Sequence, residues 1–202
     1  MHTIQSEIGT NATVDYYEQH AEAFAQDTAE ADVSEILRRF TVLLPSGASV
    51  LDWGCGTGRD TRTMLDDGFA VTSTDASKAM CALAKETFGV KPTCERFEDL
   101  DAVCEYDGIW ACASLLHVEK RKLPAVLKKA HDALRENGVF YMSFKYGCFE
   151  GKRGGRWYTD LDETAAIELA GFGFGMVEIW ITGDVRPGRA EERWLNCLLR
   201  KR

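Results

Sequence analysis

The sequence predicts an α/β fold in which a parallel sheet carries helices on both faces. Strand-like and helix-like patterns alternate after the Pro-Ser-Gly run at residues 45–47, which interrupts the preceding helical pattern. Such alternation is typical of parallel sheets, because parallel strands are joined through crossover helices. With 202 residues and 45% hydrophobic content, the chain is expected to form one domain around a full core.

The pattern of apolar and turn-forming residues predicts each element in order. Residues 1–12 are expected to be frayed, and two helices follow at 14–25 and 32–44. Strands are predicted at 48–51, 69–74, 92–96, 108–113 and 139–144. The intervening helices are predicted at 58–67, 77–88 and 122–136. A helix at 160–170 precedes two β-like runs at 176–182 and 192–200, whose short link predicts a hairpin.

The residues after the first predicted strand carry most of the functional information. The strand runs into a glycine turn (residues 54–58, Gly-Cys-Gly-Thr-Gly) and a helix start. Glycines at Gly54, Gly56 and Gly58 would allow bare backbone to approach a ligand. Asp52 places a carboxylate at the carboxyl end of the strand, where open α/β sheets bind ligands. A carboxylate is a better partner for a cationic group than for a phosphate. It therefore favours an ammonium-bearing ligand such as S-adenosylmethionine (SAM).

A dinucleotide fingerprint, G-x-G-x-x-G/A, is the competing interpretation of the turn. Its spacing fails, because Arg59 occupies the next position that requires a small residue. A NAD-dependent reductase is therefore disfavoured. Asp75 ends the second predicted strand roughly 20 residues on, where an acid can accept hydrogen bonds from ribose hydroxyls. Ser77 is predicted to cap the following helix rather than to contact a ligand.

These residues resemble the class I SAM-dependent methyltransferases, and within them the small bacterial enzymes grouped with tellurite-resistance methyltransferases. The matching blocks are residues 51–58, 74–77, 106–118 and 134–140. The resemblance implies a Rossmann-like, seven-stranded, mostly parallel sheet with an antiparallel last strand. It implies one domain over 1–202, with an N-terminal helical cap at 1–44 and a SAM-binding core at 45–202. The cofactor would be SAM and its product S-adenosylhomocysteine (SAH).

The resemblance also implies where the cofactor would be held. Asp52 is expected to contact the glycine turn and the amino group of SAM, and Asp75 the ribose hydroxyls. The adenine site is expected after the third strand, although Arg96 stands where relatives often carry an acid. The full set of cofactor-binding candidates is Asp52, Gly54, Cys55, Gly56, Gly58, Asp75, Ala76, Phe97, Glu98, Ala111 and Leu116.

Candidates for the acceptor side are aromatic, cationic and imidazole side chains. His117 follows the fourth strand close to the expected methyl position, where it would orient or deprotonate a substrate, or simply pack. Tyr17, His20 and Phe24 share one helical face, which predicts an aromatic lid or an amphipathic packing face. Guanidinium groups would suit an anionic substrate such as a carboxylate or phosphate. The candidate substrate contacts are Tyr16, Tyr17, Lys145, Arg156, Tyr158 and Arg186. Of these, Arg156 and Tyr158 lie in a predicted glycine-rich loop at residues 154–158.

Composition restricts the class of protein. The net charge of −8 argues against broad binding of phosphate backbones, which requires a positive face. The seven cysteines show no CxxC spacing, so we expect reduced thiols, no metal site and a cytoplasmic location. No apolar run is long enough to cross a bilayer, and no signal-peptide pattern is evident at the start.

The predicted reaction is in-line methyl transfer from the sulfonium of SAM to a small-molecule acceptor, catalysed mainly by positioning in a dry pocket. One alternative is a tRNA methyltransferase of the wobble-uridine type, which would use the late arginines and bind in a salt-sensitive way. The other is a SAM-binding protein without catalysis. A monomer and a homodimer are both compatible with the sequence.

Overall fold

The computed structural model describes residues 4–186, 188–189 and 191–202, with side chains from residue 12 onward. Its helices are α1 (Ile4–Thr28), α2 (Ser34–Thr41), α3 (Arg59–Asp66), α4 (Lys78–Phe88), α5 (Leu123–Ala133) and α6 (Glu163–Ala170). Its strands are β1 (Ser49–Trp53), β2 (Ala70–Asp75), β3 (Thr93–Cys94), β4 (Tyr106–Ala111), β5 (Leu134–Lys145), β6 (Glu150–Arg153), β7 (Arg156–Thr159), β8 (Phe174–Gly183) and β9 (Arg193–Lys201). Short 3₁₀ turns lie at Phe97–Asp99, Leu115–His117 and Lys120–Lys122.

The main sheet has seven strands in the order β3-β2-β1-β4-β5-β9-β8. The pairs among β1 to β5 are parallel, whereas β9 runs antiparallel to both β5 and β8. β8 and β9 form the predicted hairpin, and β9 inserts between β5 and β8. The predicted Rossmann-like sheet with an antiparallel last strand is therefore confirmed.

Helices cover both faces of this sheet, as the alternation of patterns predicts. On one face the core includes Leu51, Ile109 and Leu127, the last from α5. On the other face Phe40 of α2 lies against Trp110, with ring centroids 5.3 Å apart. The central strands are buried from both sides, which explains their nearly continuous apolar sequence.

Several element boundaries differ from the sequence-based prediction. The first helix begins at Ile4, so the expectation of a frayed segment is wrong for residues 4–12, while residues 1–3 lie outside the described part. α5 ends at Ala133, and residues 134–136 belong to β5 because Leu134 pairs with Tyr106 of β4. Strand pairing thus overrides the helical pattern of this segment. The third strand is only Thr93–Cys94.

The glycine-rich segment after the fifth strand forms a second sheet, the β6–β7 hairpin, instead of a loop. Its two-residue turn is Gly154-Gly155, with φ values of +51° and +83°. Two positive φ values are what a tight hairpin turn requires, and glycine adopts them at low cost. The hairpin projects from the main sheet and lies against α1, which positions it beside the carboxyl ends of the parallel strands.

Candidate active site

A cavity of about 440 Å³ lies at the carboxyl ends of the parallel strands. It is bounded by the glycine turn, α1, the β6–β7 hairpin and the link between β8 and β9. The candidates from the sequence that line it are Tyr17, Asp52, Gly54, Cys55, Gly56, Asp75, Ala76, Phe97, Glu98, Leu116, His117, Lys145, Arg156, Tyr158 and Arg186. Most of the residues singled out by pattern and resemblance therefore share one cavity.

The glycine turn is held by the neighbouring strand. The amides of Gly54 and Cys55 both donate to the carbonyl of Thr74 at 2.9 Å. Gly54 has a φ of +85°, and a Cβ there would lie 2.5 Å from the Cβ of Ser114, so a side chain is excluded. Gly56, with φ +56°, has no atom within 4 Å of an added Cβ and leaves its backbone bare beside the cavity.

Asp75 is fixed by one backbone amide on each carboxylate oxygen. Gly56 donates to Oδ2 and Ser77 to Oδ1, both at 2.9 Å. Each oxygen keeps a further acceptor position, which suits a pair of neighbouring hydroxyls. Burial raises the pKa of this carboxyl. Ser77 also accepts from the amide of Met80 at 3.2 Å, so its predicted role as the cap of α4 is confirmed.

Asp52 is hydrogen-bonded to the helix that follows the glycine turn. Its Oδ2 accepts from the Thr61 hydroxyl at 2.5 Å. The amides of Gly54 and Cys55 donate to Thr74 and that of Gly56 donates to Asp75, so these three amides do not hold Asp52. Burial, reinforced by the nearby charge of Asp60, raises the pKa of Asp52 to about 8. A carboxyl buried in these surroundings would be stabilised as a carboxylate by a positively charged ligand.

Two cofactor candidates from the sequence do not line the cavity. Gly58, with φ +81°, precedes α3, and a Cβ there would lie 3.1 Å from Ala84, so this glycine serves the turn and helix packing. Ala111 is fully buried inside β4. The wall is instead formed by the next residues of the chain, including Ala113 and Ser114, which the sequence did not single out. Ser114 donates to the carbonyl of Trp53 at 2.7 Å.

The expected adenine region lies after β3. Phe97 begins a 3₁₀ turn and packs edge-on against Trp53, with ring centroids 5.1 Å apart. Arg96, Phe97 and Glu98 all line the cavity. The ring of Phe97 therefore presents an apolar surface there, whereas Glu98 is exposed.

Tyr17 and His117 form a hydrogen-bonded pair in the opposite wall. The Tyr17 hydroxyl lies 2.9 Å from Nε2 of His117, and Nδ1 lies 2.6 Å from the carbonyl oxygen of Trp157. Because a carbonyl only accepts, Nδ1 carries the proton and Nε2 accepts from Tyr17. Burial lowers the pKa of His117 to about 4 and raises that of Tyr17 to about 12. The geometry suits a neutral histidine that orients Tyr17.

Arg156 lies on the other side of the same hydroxyl. Its Nη1 donates to Tyr17 at 3.2 Å, and its Cζ lies 4.7 Å from the ring centroid of Tyr16 and 5.3 Å from that of Tyr158. Its Nε is buried without a hydrogen-bond partner in the described structure. Tyr16 itself does not line the cavity and packs behind the guanidinium instead.

Lys145 and Arg186 line the cavity as predicted, but their charges are met by carboxylates of the chain. Both donate to Asp184, at 2.8 and 2.6 Å, and Arg186 also reaches Asp27 of α1 at 3.1 Å. Lys145 further pairs with Glu192. Burial alone would raise the pKa of Asp184, but hydrogen bonds from Arg186 and Lys145 hold it well below its ordinary range.

The first helix covers the cavity. Tyr17 and Phe24 line it, with ring centroids 5.1 Å apart, and Thr13 accepts from the amide of Trp157 in the hairpin at 2.9 Å. His20, expected on the same face, is exposed and stacks on Tyr16, and α1 is kinked at this residue.

In the part of the chain with described side chains, no group of three or more His, Cys, Asp and Glu residues is arranged to hold a metal ion. None of the helices within the described ranges combines the length and apolar character needed to cross a membrane.

The central part of the chain is similar to known proteins. Residues 50–138 match the family model described as a methyltransferase domain. The chain is 30% identical over 127 residues to the carboxy-S-adenosyl-L-methionine synthase of Campylobacter curvus, covering 60% of this chain and 53% of that protein. The chain thus spans about half the length of the curated relatives that it matches.

Solved structures share the fold. One is the 1,6-didemethyltoxoflavin-N1-methyltransferase of Burkholderia thailandensis with bound substrate and SAH, with a TM-score of 0.72, 24% identity and coverage of 93% of this chain and 84% of that one. Another is a TehB-like SAM-dependent methyltransferase of Corynebacterium glutamicum, with a TM-score of 0.68, 22% identity and coverage of 91% and 99%. The matched segment includes the glycine turn and Asp75, so this part of the chain is similar to a methyltransferase domain.

Proposed function

We propose that the protein transfers the methyl group of SAM to a small-molecule acceptor bound in the same cavity. The observation that carries this proposal is the continuity of the cavity, which runs from Asp75 and the glycine turn to His117 and Arg156. A transferase must hold donor and acceptor in contact, because alignment of the two reacting atoms supplies much of the rate.

The residues at one end of the cavity suit the cofactor, and we call this the cofactor end (Asp52, Gly56, Asp75 and Phe97). Asp75 offers two free acceptor positions for ribose hydroxyls, and Asp52 a buried carboxyl for the amino group. Gly56 offers bare backbone. When bound there, SAM would supply an activated methyl group on a sulfonium.

The opposite end, which we call the acceptor end, consists of Tyr17, His117, Arg156 and Tyr158. In this proposal its residues bind and orient the acceptor, and α1 excludes water above them. His117 keeps its proton on Nδ1 and acts by fixing the Tyr17 hydroxyl. A nucleophile that is already ionised when it binds needs no more from this end than position.

Enclosure and charge favour a small acceptor over tRNA. α1 and the β6–β7 hairpin border the cavity and are joined by the hydrogen bond between Thr13 and Trp157. The basic residues Lys145, Arg186 and Arg189 are paired with acids rather than presented as a patch. Binding of a phosphate backbone depends on such a patch, and the net charge is −8.

The test is transfer of a labelled methyl group from SAM into separated pools of small metabolites and tRNA, with Asp75→Ala as the inactive comparison. We expect label in a small-molecule fraction only, at a rate lost in the variant. The cofactor is followed by mass spectrometry in the same assay, because the curated relatives are named carboxy-S-adenosyl-L-methionine synthase. Label in tRNA, or tight SAH binding without any product, would contradict the proposal in favour of its alternatives.

A further inference from the structure

Arg156 differs from five other cations of the cavity wall in its electrostatic surroundings. Each of five neighbouring cations forms an ion pair with a carboxylate of the chain; they are Arg59, Lys145, Arg153, Arg186 and Arg189. Arg156 has no carboxylate within ion-pair distance among the described residues. Its charge is therefore left uncompensated inside an enclosed cavity of an acidic protein.

Aromatic rings take the place of a counter-ion. Tyr16, Tyr17 and Tyr158 form a tyrosine cage around the guanidinium, with centroid distances of 4.7, 5.7 and 5.3 Å. Ring faces attract a cation but do not neutralise it. Gly155, with φ +83°, brings the cage together, because a Cβ there would lie 3.0 Å from the Tyr16 ring.

A chain of hydrogen bonds in one direction fixes the orientation of the guanidinium. Arg156 donates to Tyr17, Tyr17 donates to His117, and His117 donates to the carbonyl of Trp157. Within the described structure, the Tyr17 hydroxyl is the one hydrogen-bond acceptor that Arg156 meets. The guanidinium is thus held in one orientation by a hydrogen bond that uses a single N–H of Nη1, which leaves its other terminal donors without a protein partner among the described residues and suited to an anion.

We propose that Arg156 in its tyrosine cage binds a carboxylate group of the methyl acceptor. This inference rests on the proposed function and names the chemical class of its substrate. A single guanidinium fork matches the two oxygens and single charge of a carboxylate. A phosphate dianion would call for a second free cation, and the neighbouring cations are already paired. The acceptor is thus a small organic acid that carries its nucleophile near the carboxylate.

The test uses benzoate and its neutral analogue benzamide as probes, each titrated by calorimetry into the full-length protein saturated with SAH. We expect benzoate to bind roughly 10-fold or more tightly than benzamide, as a charge-assisted hydrogen bond predicts. Arg156→Gln should abolish this preference, and Arg156→Lys should keep part of it. The affinity for SAH should stay within about twofold in both variants.

Arg193→Gln is the matched control. Arg193 also stacks on a tyrosine, with Cζ 4.5 Å from the ring of Tyr146, but it does not line the cavity. The control loses the same charge and should keep the preference for benzoate. Thermal unfolding of each variant verifies that it is folded.

Three results would overturn the proposal. They are equal or absent binding of the two probes by the wild type, a preference that survives in Arg156→Gln, and a loss of SAH affinity in Arg156→Gln. The last would assign Arg156 to the carboxylate of the cofactor instead. Failure of the wild type to bind SAH at all would reject the proposed function itself, so the two failures are distinguishable.

Discussion

The cofactor end of the cavity is acidic and is held largely by backbone, whereas the acceptor end is cationic and aromatic and is held by side chains. At the first, Asp75 is fixed by the amides of Gly56 and Ser77. At the second, Tyr17 is fixed by His117 and Arg156. Backbone geometry survives most substitutions, but a network of side chains does not. Under the proposed function, the cofactor end can therefore stay constant while the acceptor end determines which substrate is used.

The largest effect is expected at the cofactor end, from Asp75→Ala. Removing the carboxylate deletes both predicted hydrogen bonds to ribose, so the Kd for SAH should rise roughly 100-fold. Calorimetric titration measures this directly. Asp101→Ala, at an exposed acid outside the cavity, is the control and should bind normally. An unchanged Kd in Asp75→Ala would remove the basis for the cofactor end.

Asp52 provides a pH-dependent test of the cofactor end. Because burial raises its pKa to about 8, the carboxyl is mostly protonated near neutrality, and a bound ammonium group would favour ionisation. SAH binding should therefore release a proton, and affinity should rise with pH toward about 8, by up to roughly tenfold per pH unit. Calorimetry in buffers of different ionisation enthalpy counts the proton. Asp52→Asn should release none, and equal proton release by both proteins would contradict the assignment.

Tyr17→Phe tests the acceptor end. The change leaves Nε2 of His117 without its donor and Arg156 without its acceptor, at a cost of about 1–3 kcal/mol in unfolding free energy. Methyl-transfer turnover should fall, while the Kd for SAH should stay within about twofold. Urea unfolding and steady-state kinetics measure the two effects. If SAH affinity fell as far as turnover, the two ends would not be separable.

His117 allows the acceptor end to be tested through the pH dependence of protein stability. Its folded pKa of about 4 lies below the ordinary value of 6.5, so the unfolded chain binds the proton more readily. The stability that His117 contributes is present above pH 6.5 and is lost as pH falls toward 4. The wild type should lose about 2–3 kcal/mol more than His117→Asn across that range. Matching pH profiles of the two proteins would show that the histidine is not held neutral.

The smallest effect is expected for Asp27→Asn. Asp27 joins α1 to Arg186 and Arg189, but its side chain is 44% exposed. Such a half-exposed network contributes about 1 kcal/mol or less, and less still at high salt. Thermal unfolding at low and high salt should show a small loss that salt removes. A loss of several kcal/mol would mean that this contact holds the covering helix in place.

The sequence predicted the cofactor end better than the acceptor end because of the distances along the chain that each spans. Gly56 and Asp75 are 19 residues apart, and both follow recognisable strands. Tyr17 and His117 are 100 residues apart, and Tyr17 and Arg156 are 139 apart. The sequence pattern can identify such side chains as candidates, but it does not show which of them will be in contact.

Two features of the fold differ from the sequence-based prediction. The pattern of residues 134–136 predicts a helix, but these residues join β5 because Leu134 pairs with Tyr106 of β4. The glycine-rich segment around Gly154-Gly155 predicts a loop, but it forms the tight turn of the β6–β7 hairpin. Long-range pairing decides the first case, and turn chemistry decides the second. Lys145 lines the cavity and stays a predicted substrate contact, and its pairing with Asp184, 39 residues away, is a long-range feature that the pattern does not show.

The most direct test of a cavity with two separable ends is the Kd for SAH in wild type, Asp75→Ala and Arg156→Gln, measured in one calorimetric series. We predict a loss of roughly 100-fold for Asp75→Ala and a change within about twofold for Arg156→Gln. Equal losses in both variants, or normal binding by Asp75→Ala, would contradict the division of the cavity into a cofactor end and an acceptor end.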